Sequence, residues 1–258
     1  MDAATATTAL AGGNVTLERH PHGVVLVRMN RPDKKNALTG AMYDAMRGVI
    51  ENAAADGTRA VVFAGVPGVF TSGNDIADFV QRSAGGETRS PAGDFIKALA
   101  TVEVPMIAAV DGLGIGIGTT MVLHMDLAYA SPNALFRMPF VDLGLVPEAA
   151  SSLIFPRLAG IKKATEYILM AEPFGAAEAE SIGLVNAVLP PAELEAKALA
   201  SATKLASKPP IALAHSRRLL RKDAAEIRAR MDEEGALFAE LLRGDEAKQA
   251  FMAFMTRK

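Results

Sequence analysis

The chain alternates between short apolar runs and longer segments with helical periodicity. The runs "GVVLVRMN" (Gly23 to Asn30), "RAVVFAG", "PMIAAVDG" and "DLAYAS" are typical of short buried strands. Between the first two, "LTGAMYDAMRGVIENAAAD" places its apolar side chains on one helical stripe, with Thr39 at a suitable N-cap position. Strands and helices alternate up to about residue 190, and this alternation predicts an α/β layer architecture.

The last quarter of the chain has a different character. Residues 192–258 contain only helical patterns, and the final segment places Phe251, Phe254 and Met255 on one apolar stripe. Such a stripe must pack against the protein's own core or another subunit. We therefore predict a flexible N-terminal tail (1–13), a core (14–195) and a helical C-terminal region (196–258). The glycine- and serine-rich "QRSAGGETRSPAGD" is predicted to be a mobile surface loop.

Composition excludes several classes of protein. Of the 258 residues, 50% are hydrophobic and 22% are charged, and the net charge of −2 offers no field for a nucleic acid. No apolar run approaches the roughly 20 residues that span a bilayer, so no membrane segment is predicted. The beginning of the chain lacks the features of a signal peptide, and we expect a cytoplasmic protein. Cysteine is absent, which excludes disulfides, thiol catalysis and thiolate metal sites.

Glycine recurs at every second position from 112 to 118 in "DGLGIGIGTTMVLHMD". A dinucleotide fingerprint that starts at Gly112 would need its third glycine at Ile117, and one that starts at Gly114 would need it at Thr119. The lysine of a P-loop is also absent, so neither phosphate-binding motif fits. Two interpretations stay open. The glycines allow a tight turn and close packing, or they expose free N–H groups at a helix start as half of an oxyanion hole.

A second candidate loop, "GVFTSGNDIADF", also follows a buried strand. Ser72 is not a nucleophile of the G-x-S-x-G type, because Phe70 occupies the position of the first glycine. No histidine lies in a motif that marks it as a base for this serine. The more useful group of Ser72 is therefore its backbone N–H.

These stretches together resemble the crotonase superfamily, the enoyl-CoA hydratase/isomerase fold, from about Val15 to the end of the chain. "NRPDKKNALT" is similar to the family's early turn and helix, "FTSGNDI" and "VDGLGIGIG" to its two oxyanion loops, and "FRMPFVDLGLVPEAASS" to its acidic segment. The resemblance implies an α/β spiral of ββα units, a helical C-terminal region that builds trimers, and acyl-CoA ligands. It also implies that the N–H groups of Ser72 and Ile117 bind the thioester oxygen.

The two glutamates that hydratases of this family use are missing. Thr120 and Phe140 stand at those positions, and neither can deprotonate water or protonate carbon, so hydration is disfavoured. Glu148 remains, and we predict that a helix beginning at Pro147 holds it in the first turn. Glu148 either complements the helix dipole or acts as the single catalytic glutamate. The sequences "SGND", "GIG" and "PEAASS" resemble peroxisomal-type delta-3, delta-2-enoyl-CoA isomerases, although Ala149 replaces a glycine.

The resemblance therefore implies an isomerase that converts a 3-enoyl-CoA into a 2-enoyl-CoA. The alternatives are another acyl-CoA enzyme of the superfamily and a non-catalytic acyl-CoA-binding protein. Asp75 is expected to fix its loop by hydrogen-bonding backbone N–H groups rather than to act as a second acid. Coenzyme A enters as part of the substrate, so we expect no separate cofactor and no metal. The predicted assembly is a homotrimer or a dimer of trimers.

The resemblance also indicates where the acyl-CoA would bind. The backbone around Ala37 and Leu38 would meet the adenine, and Lys34 and Lys35 either reach its phosphates or are solvated turn residues. Two further groups of residues are expected at the substrate: in the loops Gly73, Asn74, Asp75, Ile76, Gly116 and Phe140, and near the C-terminus Phe254 and Lys258.

Overall fold

The computed structural model describes residues 7–77, 89–221 and 223–256, with side chains described as far as residue 253. The N-terminal part forms three strands and a helix: β1 (Thr7–Leu10), β2 (Val15–His20), β3 (Val24–Met29) and α1 (Gly40–Glu51). The predicted apolar stripe of α1 is buried, and the Thr39 hydroxyl caps this helix by accepting a hydrogen bond from the N–H of Met42. Both predictions for this segment are confirmed.

Three units of two strands and a helix follow. They are β4 (Ala60–Ala64), β5 (Val69–Thr71) and α2 (Pro91–Thr101); β6 (Met106–Val110), β7 (Leu113–Ile115) and α3 (Ile117–Thr120); and β8 (Leu127–Ala130), β9 (Leu135–Arg137) and α4 (Ser151–Ala159). This repetition confirms the predicted α/β fold of ββα units. The first strand of each unit is an almost fully buried apolar run, as a strand covered on both faces requires.

The remaining elements are mainly helical. They are α5 (Ile161–Ala164), β10 (Phe174–Gly175), α6 (Ala176–Ser181), β11 (Ala187–Val188), α7 (Pro191–Ala206), α8 (Pro210–Leu220), α9 (Ala224–Leu242) and α10 (Asp245–Thr256). No helix in the described ranges is long and apolar enough to cross a membrane.

The strands of each unit separate into two sheets. Within the described residues, one sheet has the order β1-β2-β3-β4-β6-β8-β11 and is parallel from β3 onward, and the other has the order β10-β9-β7-β5. The chain therefore passes from the larger sheet to the smaller one in every unit. The loops that follow β5 and β7 lie at adjacent positions, because β5 and β7 pair in parallel.

Three predictions about the organisation of the chain were wrong. Residues 7–13 are not a flexible tail, because β1 pairs antiparallel with β2 across a short 3₁₀ turn (residues 1–6 lie outside the described part). The core does not end at residue 195, since α7 buries Leu194 and Ala198 against the larger sheet. Part of the predicted mobile loop is the start of α2, where the Ser90 hydroxyl accepts from the N–H of Gly93 at 3.1 Å. Residues 81–88 of that loop lie outside the described ranges.

Candidate active site

A cavity of about 420 Å³ opens between the loops that follow β5 and β7 and the C-terminal helices. Its lining contains seven of the residues predicted at the site: Ser72, Gly73, Asn74, Ile76, Gly116, Ile117 and Phe140. The C-terminal helices contribute Phe238 and Phe251, which sequence reasoning did not assign to the site. The stripe that contains Phe251 was the available signal, since it showed that α10 has an apolar face to bury.

The alternating glycines bring the two loops into contact. A Cβ atom at Gly112 would lie 1.8 Å from the carbonyl oxygen of Gly68, and one at Gly118 would lie 2.7 Å from the Cγ2 atom of Thr71. Side chains at these positions would force β7 and α3 away from β5. Close packing and an oxyanion site are therefore compatible here, because the glycines that pack the loops together also place both candidate N–H groups in one cavity.

The N–H of Ile117 is the first of α3 and has no acceptor in the described part of the chain. Ile117 lines the cavity, so this N–H group is a candidate donor for an anionic oxygen. The helix is only four residues long and continues as a 3₁₀ turn, so the helix dipole contributes less than the free N–H group itself.

Ser72 differs from the prediction in one respect. Its N–H group is not free, because it donates to the carbonyl oxygen of Lys35 at 3.0 Å. Lys35 and Asn36 both have left-handed backbone conformations, which turn that carbonyl toward the loop. As a second oxyanion donor, Ser72 would have to share this hydrogen or be released by a movement of the Lys35 turn.

The predicted coenzyme A turn is tied to the first oxyanion loop. The N–H of Leu38 donates to Gly73 at 2.8 Å, and the carbonyl of Leu38 accepts from Asp75 at 2.9 Å. The carbonyl of Ala37 accepts from the Arg31 side chain at 2.9 Å. The N–H groups here are engaged within the protein, which leaves only spare carbonyl lone pairs for an adenine.

The other side chains of this turn fall into exposed and buried groups. Lys34 and Lys35 are exposed and do not line the cavity. Their positions are equally compatible with solvated turn residues and with lysines that reach the phosphates of a bound coenzyme A. Asn36, which sequence reasoning missed, is fully buried and holds the turn, since its amide donates to the carbonyls of Val69 and Phe70 at 2.9 and 3.0 Å. An asparagine in a turn sequence gives no local signal of these distant partners.

Asp75 has a structural partner. Its carboxylate accepts a hydrogen bond from Arg31 at 2.6 Å, and both side chains are mostly buried. This geometry supports the expectation that Asp75 fixes its loop, with a guanidinium as one donor. The neighbouring Asn74 lines the cavity while its side-chain oxygen accepts from the hydroxyl of Tyr43.

Glu148 lies close to the second loop but not in the predicted helix. Ala149 and Ala150 adopt left-handed conformations, with φ of 61° and 53°, so α4 begins only at Ser151. The half-buried carboxylate accepts a hydrogen bond from the hydroxyl of Thr120 at 3.4 Å, one helical turn after Ile117. Glu148 is absent from the cavity lining, whereas its neighbour Leu145 is part of it.

The surroundings of Glu148 change its acidity. Burial and, to a smaller extent, the negative charge of Glu234 raise the pKa of Glu148 to about 7, and the hydrogen bond from the Thr120 hydroxyl opposes both effects. Phe140 and Leu145 are buried near Glu148 in the sequence, whereas Val141 is 45% exposed and adds little to the apolar surroundings. A carboxylate with a pKa near neutrality can take up and return a proton at physiological pH.

Neither of the two positions at which hydratases carry a glutamate supplies an acid to the site. Thr120 is fully buried against Glu148, and Phe140 contributes an apolar wall to the cavity. Among the described residues, no group of three or more His, Cys, Asp or Glu side chains is placed to hold a metal ion. The side chain of Phe254 and all of Lys258 lie outside the described part of the chain, so their expected contacts with the substrate stay predictions.

Comparisons with known proteins agree with this geometry. A family model described as "Enoyl-CoA hydratase/isomerase" matches residues 19–258. The chain is 35% identical over 242 residues to "Enoyl-CoA delta isomerase 2" of Rattus norvegicus, covering 92% of this chain and 62% of that protein. It is 30% identical over 244 residues to "Enoyl-CoA delta isomerase 3, peroxisomal" of Mus musculus, covering 92% and 76% respectively. The chain thus spans less than two thirds of the rat relative's length.

A solved structure gives the same result for the fold. The structure of Pseudomonas aeruginosa OdaA has a TM-score of 0.90 and 42% identity, covering 95% of this chain and 99% of that chain. The two loops after β5 and β7, the ββα units and the near-complete family match lead to one conclusion. The chain belongs to the enoyl-CoA hydratase/isomerase family.

Proposed function

We propose that this protein is an enoyl-CoA isomerase that moves the double bond of a 3-enoyl-CoA to the 2-position. The observation that carries the proposal is the pairing of one carboxyl group of near-neutral pKa, Glu148, with Thr120 and Phe140 at the hydratase positions. Isomerisation needs one group that removes a proton and returns it, whereas hydration needs a group for water and a group for carbon. The isomerase names of the rat and mouse relatives support the same reaction.

The proton balance requires only Glu148. Its carboxylate takes the proton from C2 of the 3-enoyl thioester, and the electrons of the broken C–H bond form a dienolate with its charge largely on the thioester oxygen. Protonated Glu148 then gives the proton to C4, and the double bond forms between C2 and C3. The product leaves with the same atoms as the substrate, and Glu148 is ionised again.

The dienolate oxygen would be held by backbone N–H groups. Ile117 supplies the first, and Ser72 supplies the second when its hydrogen bond to Lys35 is shared or released. One such donor is worth about 3 kcal/mol of barrier in measured cases. Phe140 and Leu145 would exclude water from the intermediate.

The proposal is tested with 3-hexenoyl-CoA, whose conversion gives a conjugated thioester that is followed by its ultraviolet absorbance. We expect turnover by the wild type and a loss of about 10³-fold or more in Glu148→Gln, which keeps the shape of the side chain but cannot take up a proton. Crotonyl-CoA in the same assay should show no hydration. Isomerase activity retained in Glu148→Gln, or hydration by the wild type, would overturn the proposal.

One observation favours a second candidate, thioester binding without turnover. Glu148 does not line the cavity, so its carboxylate must rotate from Thr120 to reach C2 of a bound substrate. A protein that binds 3-hexenoyl-CoA but converts none of it would fit this second function.

Assembly and location are also proposals. Ile211, Leu219 and Leu220 on α8 are exposed by 73–87% in the single chain, and this apolar surface supports burial in the proposed homotrimer or dimer of trimers. A cytoplasmic location stays a prediction from the sequence.

A further inference from the structure

A buried carboxylate from the C-terminal region lies against the segment that carries Glu148. Glu234 of α9 is only 5% exposed, although glutamate is rarely buried without a partner. Its Oε2 atom accepts from the N–H of Ala150 at 2.6 Å, and its Oε1 atom accepts from the N–H and the hydroxyl of Ser152 at 3.0 and 2.6 Å. Glu234 is thus bonded to residues two and four positions after Glu148.

The partners of Glu234 indicate its ionisation state. All three are donors, and an ionised carboxylate offers only acceptors, so each hydrogen bond is formed best when Glu234 is charged. Arg230 on the same helix donates to the Ser152 hydroxyl at 3.0 Å, and its positive charge opposes the effect of burial, which raises the pKa of Glu234.

The segment that Glu234 holds has an unfavourable backbone. Ala149 and Ala150 are consecutive left-handed residues, which for alanine costs about 1–2 kcal/mol each. Alanine otherwise favours the right-handed helix, and continuing α4 backward would carry Glu148 to another place. The segment is also held from its other side, where Nε2 of the buried, neutral His124 donates to the carbonyl of Ala149 at 2.8 Å.

We propose that Glu234 is a positioning residue for the isomerisation, which fixes the backbone that carries Glu148 beside the cavity through its hydrogen bonds to Ala150 and Ser152. The inference rests on the proposed function and deepens it, since it makes a residue of the C-terminal helices part of the proton-transfer machinery. Glu234 does not contact the reacting atoms in this arrangement. It acts through the conformation of residues 148–152 and through its charge.

The charge of Glu234 has a separate consequence for the pH dependence. A negative group beside Glu148 disfavours a second negative charge, so it holds the pKa of Glu148 up. Other charged or titratable groups of the surrounding elements have partners of their own or are neutral, and Arg157 of α4 pairs with Asp223 and Glu226. Arg230 pairs with Glu233 and reaches Ser152, His124 is neutral because burial lowers its pKa to about 4, and Lys97 of α2 pairs with Asp232. Glu234 is therefore the negative charge whose removal changes the titration of Glu148.

The test compares Glu234→Gln, Glu234→Asp and the control Glu240→Gln, an exposed position on the same helix. For Glu234→Gln we expect a fall in kcat of about tenfold or more on 3-hexenoyl-CoA, because small displacements of a catalytic group are costly. The acidic limb of the pH profile, where kcat/KM rises as Glu148 ionises, should also move to lower pH by about one unit, because the repelling charge is gone. Glu234→Asp keeps the charge and should keep the limb at the wild-type pH, while Glu240→Gln should match the wild type throughout.

A merely structural role would lower the amount of folded protein and leave the limb in place. If Glu234→Gln folds and shows the kcat and the limb of Glu240→Gln, the inference is wrong. If Glu234→Gln does not fold, Glu234→Asp decides between the two roles. A kcat below that of the wild type, with the acidic limb at the wild-type pH, supports the inference, whereas a kcat equal to that of the wild type overturns it. Failure of the proposed function is distinguishable, because then either the wild type would not convert 3-hexenoyl-CoA or Glu148→Gln would retain activity, whatever the Glu234 variants do.

Discussion

The pH dependence of isomerisation follows from the contacts of Glu148. A base must be ionised to remove the C2 proton, and a pKa of about 7 leaves about one tenth of Glu148 ionised at pH 6 and about nine tenths at pH 8. We therefore expect kcat/KM for 3-hexenoyl-CoA to rise about tenfold between these two pH values. A glutamate of ordinary pKa would already be fully ionised at pH 6 and would give a flat profile.

Thr120→Val isolates one contribution to this pKa. The hydroxyl of Thr120 donates to the Glu148 carboxylate at 3.4 Å, and this hydrogen bond favours the ionised form. A well-formed bond to a charged group is worth about 1.5–3 kcal/mol, and at this long distance we take about 0.7 kcal/mol. That value corresponds to about half a pH unit. The acidic limb of Thr120→Val should lie at higher pH, opposite to the shift expected for Glu234→Gln.

The assay is the initial rate of conjugated-thioester formation from pH 5.5 to 9 at substrate concentrations well below KM, where the profile reports the free enzyme. The exposed Thr165 supplies the control variant Thr165→Val, which should reproduce the wild-type profile. A flat wild-type profile across this pH range, or a Thr120→Val limb that moves to lower pH, would refute the reasoning about Glu148.

Three further predictions concern stability and binding. Because the folded-state pKa of Glu148 is raised, its ionisation destabilises the fold as pH rises from about 4.5 through 7. At pH 8, Glu148→Gln should therefore have a free energy of unfolding about 2–3 kcal/mol larger than the wild type and a higher urea midpoint, whereas at pH 4.5 the two should differ little. An unchanged midpoint at pH 8 would contradict this. Asn36→Ala should lower the free energy of unfolding, measured in urea, by about 2–3 kcal/mol, because it leaves buried carbonyls and the Arg31 N–H without their partner. A loss below about 0.5 kcal/mol would contradict the structural role of Asn36. Arg31→Ala should raise KM about tenfold more than it changes kcat, because it frees the turn at Ala37 and the loop at Asp75, and a KM equal to that of the wild type would exclude this coupling.

Local patterns predicted the elements whose stability is mainly local or periodic. The apolar stripe and N-cap of α1 and the buried runs of β4 and β6 were read from residues close together in the chain, and each forms as expected. The two loops around Ser72 and Ile117 were also located by their small residues and their resemblance to a known family. These features need little information about distant partners.

The differences arise where distant contacts override local preference. Two alanines after Glu148 favour a helix, but a carboxylate 84 residues further along bonds to Ala150 and fixes a left-handed segment instead. The N–H of Ser72 is engaged by the carbonyl of Lys35, which no spacing in the sequence reveals. Likewise, β1 is mostly exposed, and its order depends on pairing with β2.

The most direct test of the central claim follows the proton itself. Wild-type protein is given 3-hexenoyl-CoA deuterated at C2, and the product of a single turnover is analysed for deuterium at C4. If Glu148 alone carries the proton across, part of the label appears at C4, and Glu148→Gln forms no labelled product. Product in which C4 has gained only solvent hydrogen, formed at the same rate by Glu148→Gln, would contradict the account.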